Sequence, residues 1–136
     1  MTDAPSKKVI VIPCSGIGKP MGSVSREAIH ELVENTRKEV TETICLALLV
    51  SGDKEAIQLV RKNKCIAVDG CPMQCAEKNL KHAGGNLVAS FKAVDTLKQY
   101  KKLKPKSVTF LDRDGLELAT ILANEVANKV DEILKK

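Results

Sequence analysis

The sequence predicts an α/β fold: a single three-layer domain over residues 1–136, with a mostly parallel sheet of four to five strands flanked by helices. Three observations predict it. Short β-branched runs alternate with segments whose apolar residues recur at helical spacing. A chain of 136 residues, 43% hydrophobic and 29% charged, has the size and balance of one globular core. Neither an internal repeat nor a linker interrupts the pattern.

KKVIVIP, residues 7 to 13, reads as a buried strand, and CSGIGKPMGS after it as a loop. SREAIHELVENTRKEV then sets Ala28, Ile29, Leu32, Val33 and Thr36 on one helical face, with Ser23 or Ser25 as N-cap. The segment TETICLALLVSGDKEAIQLVRKN has two readings. Either one strand runs from Thr41 to Val50, or the strand stops near Cys45 and Leu46, Leu49, Val50, Ile57 and Val60 belong to a helical face broken at Ser51-Gly52-Asp53.

CIAVD, residues 65 to 69, is a second buried strand. PMQCAEKNLKHAGG reads as a helix with Pro72 in its first position and Gly84-Gly85 at its end. NLVAS is a further strand, VDTLKQYKKLK a helix, SVTFL an edge strand, and Asp112 to Gly115 a turn. The last element is a long helix with Leu118, Ile121, Leu122, Val126, Val130, Ile133 and Leu134 in one apolar stripe. In a parallel sheet of this kind, the loops after the carboxyl ends of the strands form the site.

Composition narrows the function. With one Tyr, two Phe and no Trp there is little surface on which bases could stack. The net charge of +5 comes largely from KQYKKLKPK, residues 98 to 106, a run that reads as a solvated surface, so nucleic acid is not the expected partner. No apolar stretch approaches the length of a membrane span, and the N-terminus has no signal-like apolar region. The expected location is therefore cytoplasmic, where five cysteines point to metal binding or thiol chemistry rather than to disulfides.

The loop after the first strand excludes three common motifs. A phosphate-binding P-loop would need Gly at the place of Pro13 and Ser or Thr at that of Pro20. A dinucleotide fingerprint fails because Gly16, Gly18 and Gly22 are spaced one residue too widely. A phosphatase-type Cys loop would carry Arg where Pro20 stands. What remains is a glycine-containing loop able to bring Cys14 close to a ligand. His30, inside the first helix, and His82, in the last turn of the third, have structural readings.

The informative stretch is DGCPMQC, residues 69 to 75. Gly70 permits a sharp turn after the strand, Asp69 can cap the helix that follows, and Pro72 starts it. Cys71 then lies at or beside the N-cap, with Cys75 one turn along, roughly 6 Å away on the axis. Thiols at a helix start are biased toward the thiolate that metal ligation and nucleophilic attack both need. Cys14 occupies the corresponding position after the first strand, so neighbouring strands would bring Cys14, Cys71 and Cys75 to one edge. Cys65, at the far end of its strand by more than about 12 Å, reads as a buried core thiol. Cys45 joins the others only if its strand ends there.

"PCSG" after the first strand, "CLA" at residues 45 to 47 and "IAVDGCPMQCA" at residues 66 to 76 together resemble the DGC-domain family, named for its Asp-Gly-Cys motif. The resemblance covers roughly residues 8 to 90; residues 91 to 136 carry no comparable motif, and Cys65 is outside the pattern. It implies a zinc site whose chelating cysteines fall on Cys14, Cys45, Cys71 and Cys75, with Asp69, Gly70 and Pro72 shaping the turn. It also implies that the second strand ends near Cys45.

The expected function is thus one Zn2+ held by four thiolates at the carboxyl edge of the sheet, for structure, storage or transfer. Backbone amides and Lys19 would offset the excess negative charge. An iron–sulfur cluster on the same cysteines is the first alternative. The second is thiol or persulfide transfer, with Cys71 or Cys14 attacking and Cys75 resolving. No general base accompanies the motif, and neither a substrate nor a protein or small-molecule partner is specified by it.

Overall fold

A computed structural model of the chain describes residues 8–14, 19–70, 72–107 and 110–135. Among the described residues the sheet has four strands: β1 (Val9–Pro13), β2 (Thr41–Glu42), β3 (Lys64–Asp69) and β4 (Asn86–Lys92). They are ordered β2-β1-β3-β4, and every pairing is parallel. Six helices surround it: α1 (Pro20–Glu31), α2 (Leu46–Val50), α3 (Lys54–Lys62), α4 (Cys75–His82), α5 (Ala93–Gln99) and α6 (Arg113–Leu134). The three-layer α/β expectation holds, with four strands.

The order fixes which face each helix covers. From β1 the chain moves outward to β2, then passes back over β1 to β3 and on to β4. Because parallel crossovers are right-handed, reversing direction places the connecting helices on opposite faces. Accordingly Val24, Ala28 and Ile29 of α1 pack with Val9, Val11, Ile66 and Val68 and with the buried stripe of α6 on one side. Leu46 and Leu49 of α2, Val60 of α3 and Leu80 of α4 cover Ile10, Ile12, Cys65 and Ala67 on the other. Strands buried on both faces read as continuous apolar runs, which is why β1 and β3 were recognisable. Each fully buried Ile or Leu side chain contributes about 1.5–3 kcal/mol.

Several boundaries differ from the expectations. β2 is only two residues long, and α2 starts at Leu46, so the shorter of the two readings of residues 41–50 is correct. Ser23 and Ser25 do not cap α1: it begins at Pro20 after Lys19, and both serines are buried inside it. Ser25 instead returns its hydroxyl to the Gly22 carbonyl at 2.8 Å. A π-helical turn, Leu32–Thr36, extends α1. It ends at Arg37, whose guanidinium grips Asp131 of α6 through two bonds of 2.8 Å.

The helix expected to start at Pro72 starts at Cys75. Gln74 has a φ of 57°, in the left-handed region, which a continuous helix from Pro72 cannot contain. No strand includes Ser107, Phe110 or Leu111, so the edge strand over residues 107–111 is not formed by them, and Val108 and Thr109 lie outside the described residues. Asp112, expected in a turn, is the N-cap of α6 and accepts the Gly115 amide at 2.9 Å. No helix among the described residues is long and apolar enough to cross a membrane.

Candidate thiol site at the carboxyl edge

Chain connections leave β1 and β3 in opposite directions, so a crevice opens between their carboxyl ends, the place where parallel sheets take ligands. Cys14 stands at its β1 side. Its amide donates to the Val68 carbonyl at 3.1 Å, continuing the β1–β3 ladder by one residue and fixing the backbone beneath the sulfur. The Gly70 amide donates to Cys14 Sγ at 3.3 Å. Ser25 Oγ lies 3.4 Å from the same sulfur. With the Ser25 proton directed to Gly22, the thiol of Cys14 is the donor in that contact.

Gly70 is required by packing. A Cβ there would lie 2.6 Å from the Gly22 nitrogen and 2.7 Å from its Cα, so only glycine lets the end of β3 rest on the first turn of α1. This close approach is what delivers the Gly70 amide to Cys14. The sequence marked Gly70 as a turn residue, but nothing local identifies Gly22 as the surface it rests on.

Asp69 is 1% exposed and caps α4 from a distance, accepting the amides of Ala76 at 2.7 Å and Glu77 at 3.2 Å. Burial pushes its carboxyl above the ordinary aspartate range, and the two amide bonds only partly oppose that shift. The expected capping role is therefore observed, seven and eight residues downstream. Pro72 and Met73 are exposed in the turn before α4, and Gln74 closes it with a bond to Glu77 at 3.0 Å.

Cys45 and Cys75 are exposed. Cys45 immediately precedes α2 and Cys75 is the first residue of α4; the two helices pack together in one layer. Each thiol therefore follows a strand of the sheet at its carboxyl end, Cys45 after β2 and Cys75 after β3. Cys71 lies outside the described residues, as do residues 15–18 of the loop after Cys14. Among the described residues, no three His, Cys, Asp or Glu side chains close into a group that could hold a metal ion.

Cys65 is fully buried near the amino end of β3, with its thiol donating to the Val60 and Asn63 carbonyls at 3.3 Å each. Desolvation pushes that thiol up to about 12, so it is inert as well as remote. His30 and His82 are exposed on α1 and at the end of α4.

Fold and edge together define an all-parallel α/β protein in which Cys14, Cys45 and Cys75 follow the carboxyl ends of three adjacent strands. A family model of the DGC domain matches residues 10–115, and the chain belongs to that family. No curated protein and no solved structure matched the chain. Membership is consistent with metal binding. The donor chemistry also fits a thiophilic ion: the Gly70 amide points at a sulfur that would carry negative charge when ligated.

Proposed function

We propose that this DGC domain binds a single zinc ion through Cys14, Cys45, Cys71 and Cys75, as a structural or metal-transfer site. The observation that carries the reading is the Gly70 amide on Cys14 Sγ at the β1–β3 crevice. Such outer contacts orient a ligating thiolate and offset its charge. Four thiolates and a divalent ion leave a net charge near minus two, which the Gly70 amide and Lys19 would partly neutralise. Asp69 is committed to the amides of Ala76 and Glu77, so it is not free to act as a base toward a metal-bound water. This favours structural or transfer roles over hydrolysis.

The test is metal content with an absorbance spectrum on protein purified without oxygen or chelator. The expected result is one zinc per chain without visible absorbance, lost in Cys14→Ser, Cys45→Ser, Cys71→Ser and Cys75→Ser and kept in Cys65→Ala. Iron with acid-labile sulfide would replace zinc by a cluster on the same thiols. Metal-free protein with rapidly titrating thiols would replace it by thiol or persulfide transfer.

A further inference from the structure

A second cleft, unrelated to the cysteines, lies between α1 and the start of α6. Ser23, Arg26, Glu27 and His30 form one wall, at the three- and four-residue spacing that brings side chains onto one helix face. Phe110, Leu111 and Leu116 form the other. The cavity measures about 370 Å³, within the size range of small-molecule sites.

Arg26 is the unusual member. Its Nε is buried without a hydrogen-bond partner, the one such side-chain nitrogen or oxygen among the described residues. Neither Arg26 nor Glu27 enters an ion pair among the described residues. An unsatisfied guanidinium nitrogen is costly, and such a group in a native protein needs an explanation, which a bound anion would supply. The opposite wall is equally unfinished: Phe110 is 83% exposed and Leu116 48% exposed, although both border the cavity.

We infer that this cleft binds a small monocarboxylate with an apolar body. The planar guanidinium of Arg26 matches a carboxylate in a two-bonded fork. Phe110, Leu111 and Leu116 offer contact to an aromatic or aliphatic group. Glu27, on the same wall, repels a second negative charge and so disfavours phosphate monoesters.

The experiment is an amide chemical-shift titration of the full chain with phenylacetate, and in parallel with acetate, phenethyl alcohol and phenyl phosphate. Phenylacetate should saturate shifts around residues 23–30 and 110–116 with a dissociation constant of about 1 mM, the range expected for so small a ligand. Arg26→Gln should weaken it about tenfold, and Leu116→Asp, a change at an exposed position, should do likewise. Equal binding of phenylacetate, acetate and phenethyl alcohol would overturn the inference, as would unchanged affinity in Arg26→Gln. Tighter binding of phenyl phosphate would overturn the monocarboxylate class.

Discussion

The Cys14 sulfur and the Gly70 amide meet at 3.3 Å although 56 residues separate them. The contact exists because Gly70 rests directly on the backbone of Gly22. Gly70→Ala would set a methyl 2.6 Å from a main-chain nitrogen that cannot rotate away. The expected cost is about 1–3 kcal/mol, read as a lower urea midpoint. On the proposed zinc reading, the zinc content of purified protein should fall with it, because the amide no longer reaches the sulfur.

Gln74 is the one non-glycine residue with positive φ among the described residues. That conformation costs an ordinary side chain about 1–2 kcal/mol. Gln74→Gly removes the strain at the loss of a partly exposed bond to Glu77, so the melting temperature should rise. Gln74→Val, with a branched Cβ, should lower it. Equal melting temperatures for the two variants would show that the turn relaxes on substitution.

The Arg37–Asp131 pair ties the π-helical end of α1 to the last turns of α6. Hydrogen bonding to Arg37 is the main reason the Asp131 carboxyl lies below its ordinary range. A carboxylate depressed in the folded state stabilises the fold above its unfolded pKa and ceases to do so as pH falls through the folded value. Arg37→Met should therefore cost about 0.5–1 kcal/mol near neutrality, modest because Asp131 is 45% exposed. The difference from the parent should shrink as pH falls below the ordinary aspartate pKa of about 3.9 and vanish only below the depressed folded value. Urea titrations at two pH values measure both.

Cys65 differs from Cys45 and Cys75 in burial, and reactivity should follow. Folded metal-free protein treated briefly with iodoacetamide should be alkylated at Cys45 and Cys75 and spared at Cys65, as peptide mass spectrometry would report. Because burial raises the Cys65 thiol from 9.0 to about 12, its contribution to stability is intact below the lower value and is lost as pH rises through this window. In Cys65→Ala that alkaline loss should be smaller.

Much of this was legible in the sequence, unevenly. β1, β3 and α6 announced themselves because burial on both faces, or on one stripe, leaves an unbroken apolar pattern. LALLV fits a strand as well as a helix, so periodicity could not end β2; the short pairing of Thr41 and Glu42 with β1 does. Pro72 is a sound helix start by local rules, but Gln74 in a left-handed conformation has no composition signal, and it moves the start to Cys75. Ser25 resembled an N-cap because serine favours that role. Its actual neighbour, Cys14, is brought near only by the tertiary fold. That Cys14 and Cys75 follow strands is foreseeable from the residues; that Cys45 does so is left open by periodicity and favoured only by the family resemblance, and the contact between Gly70 and Gly22 that organises the crevice has no sequence signal.

The two apolar clusters on either face of the sheet have no residue in common. The sheet thus acts as a bulkhead between two independent compartments. Loss of volume at Leu122 on one side should leave the packing around Leu80 on the other undisturbed, with the two penalties simply adding. Repacking one compartment by substitution should therefore leave the strand ends that carry the thiols in register.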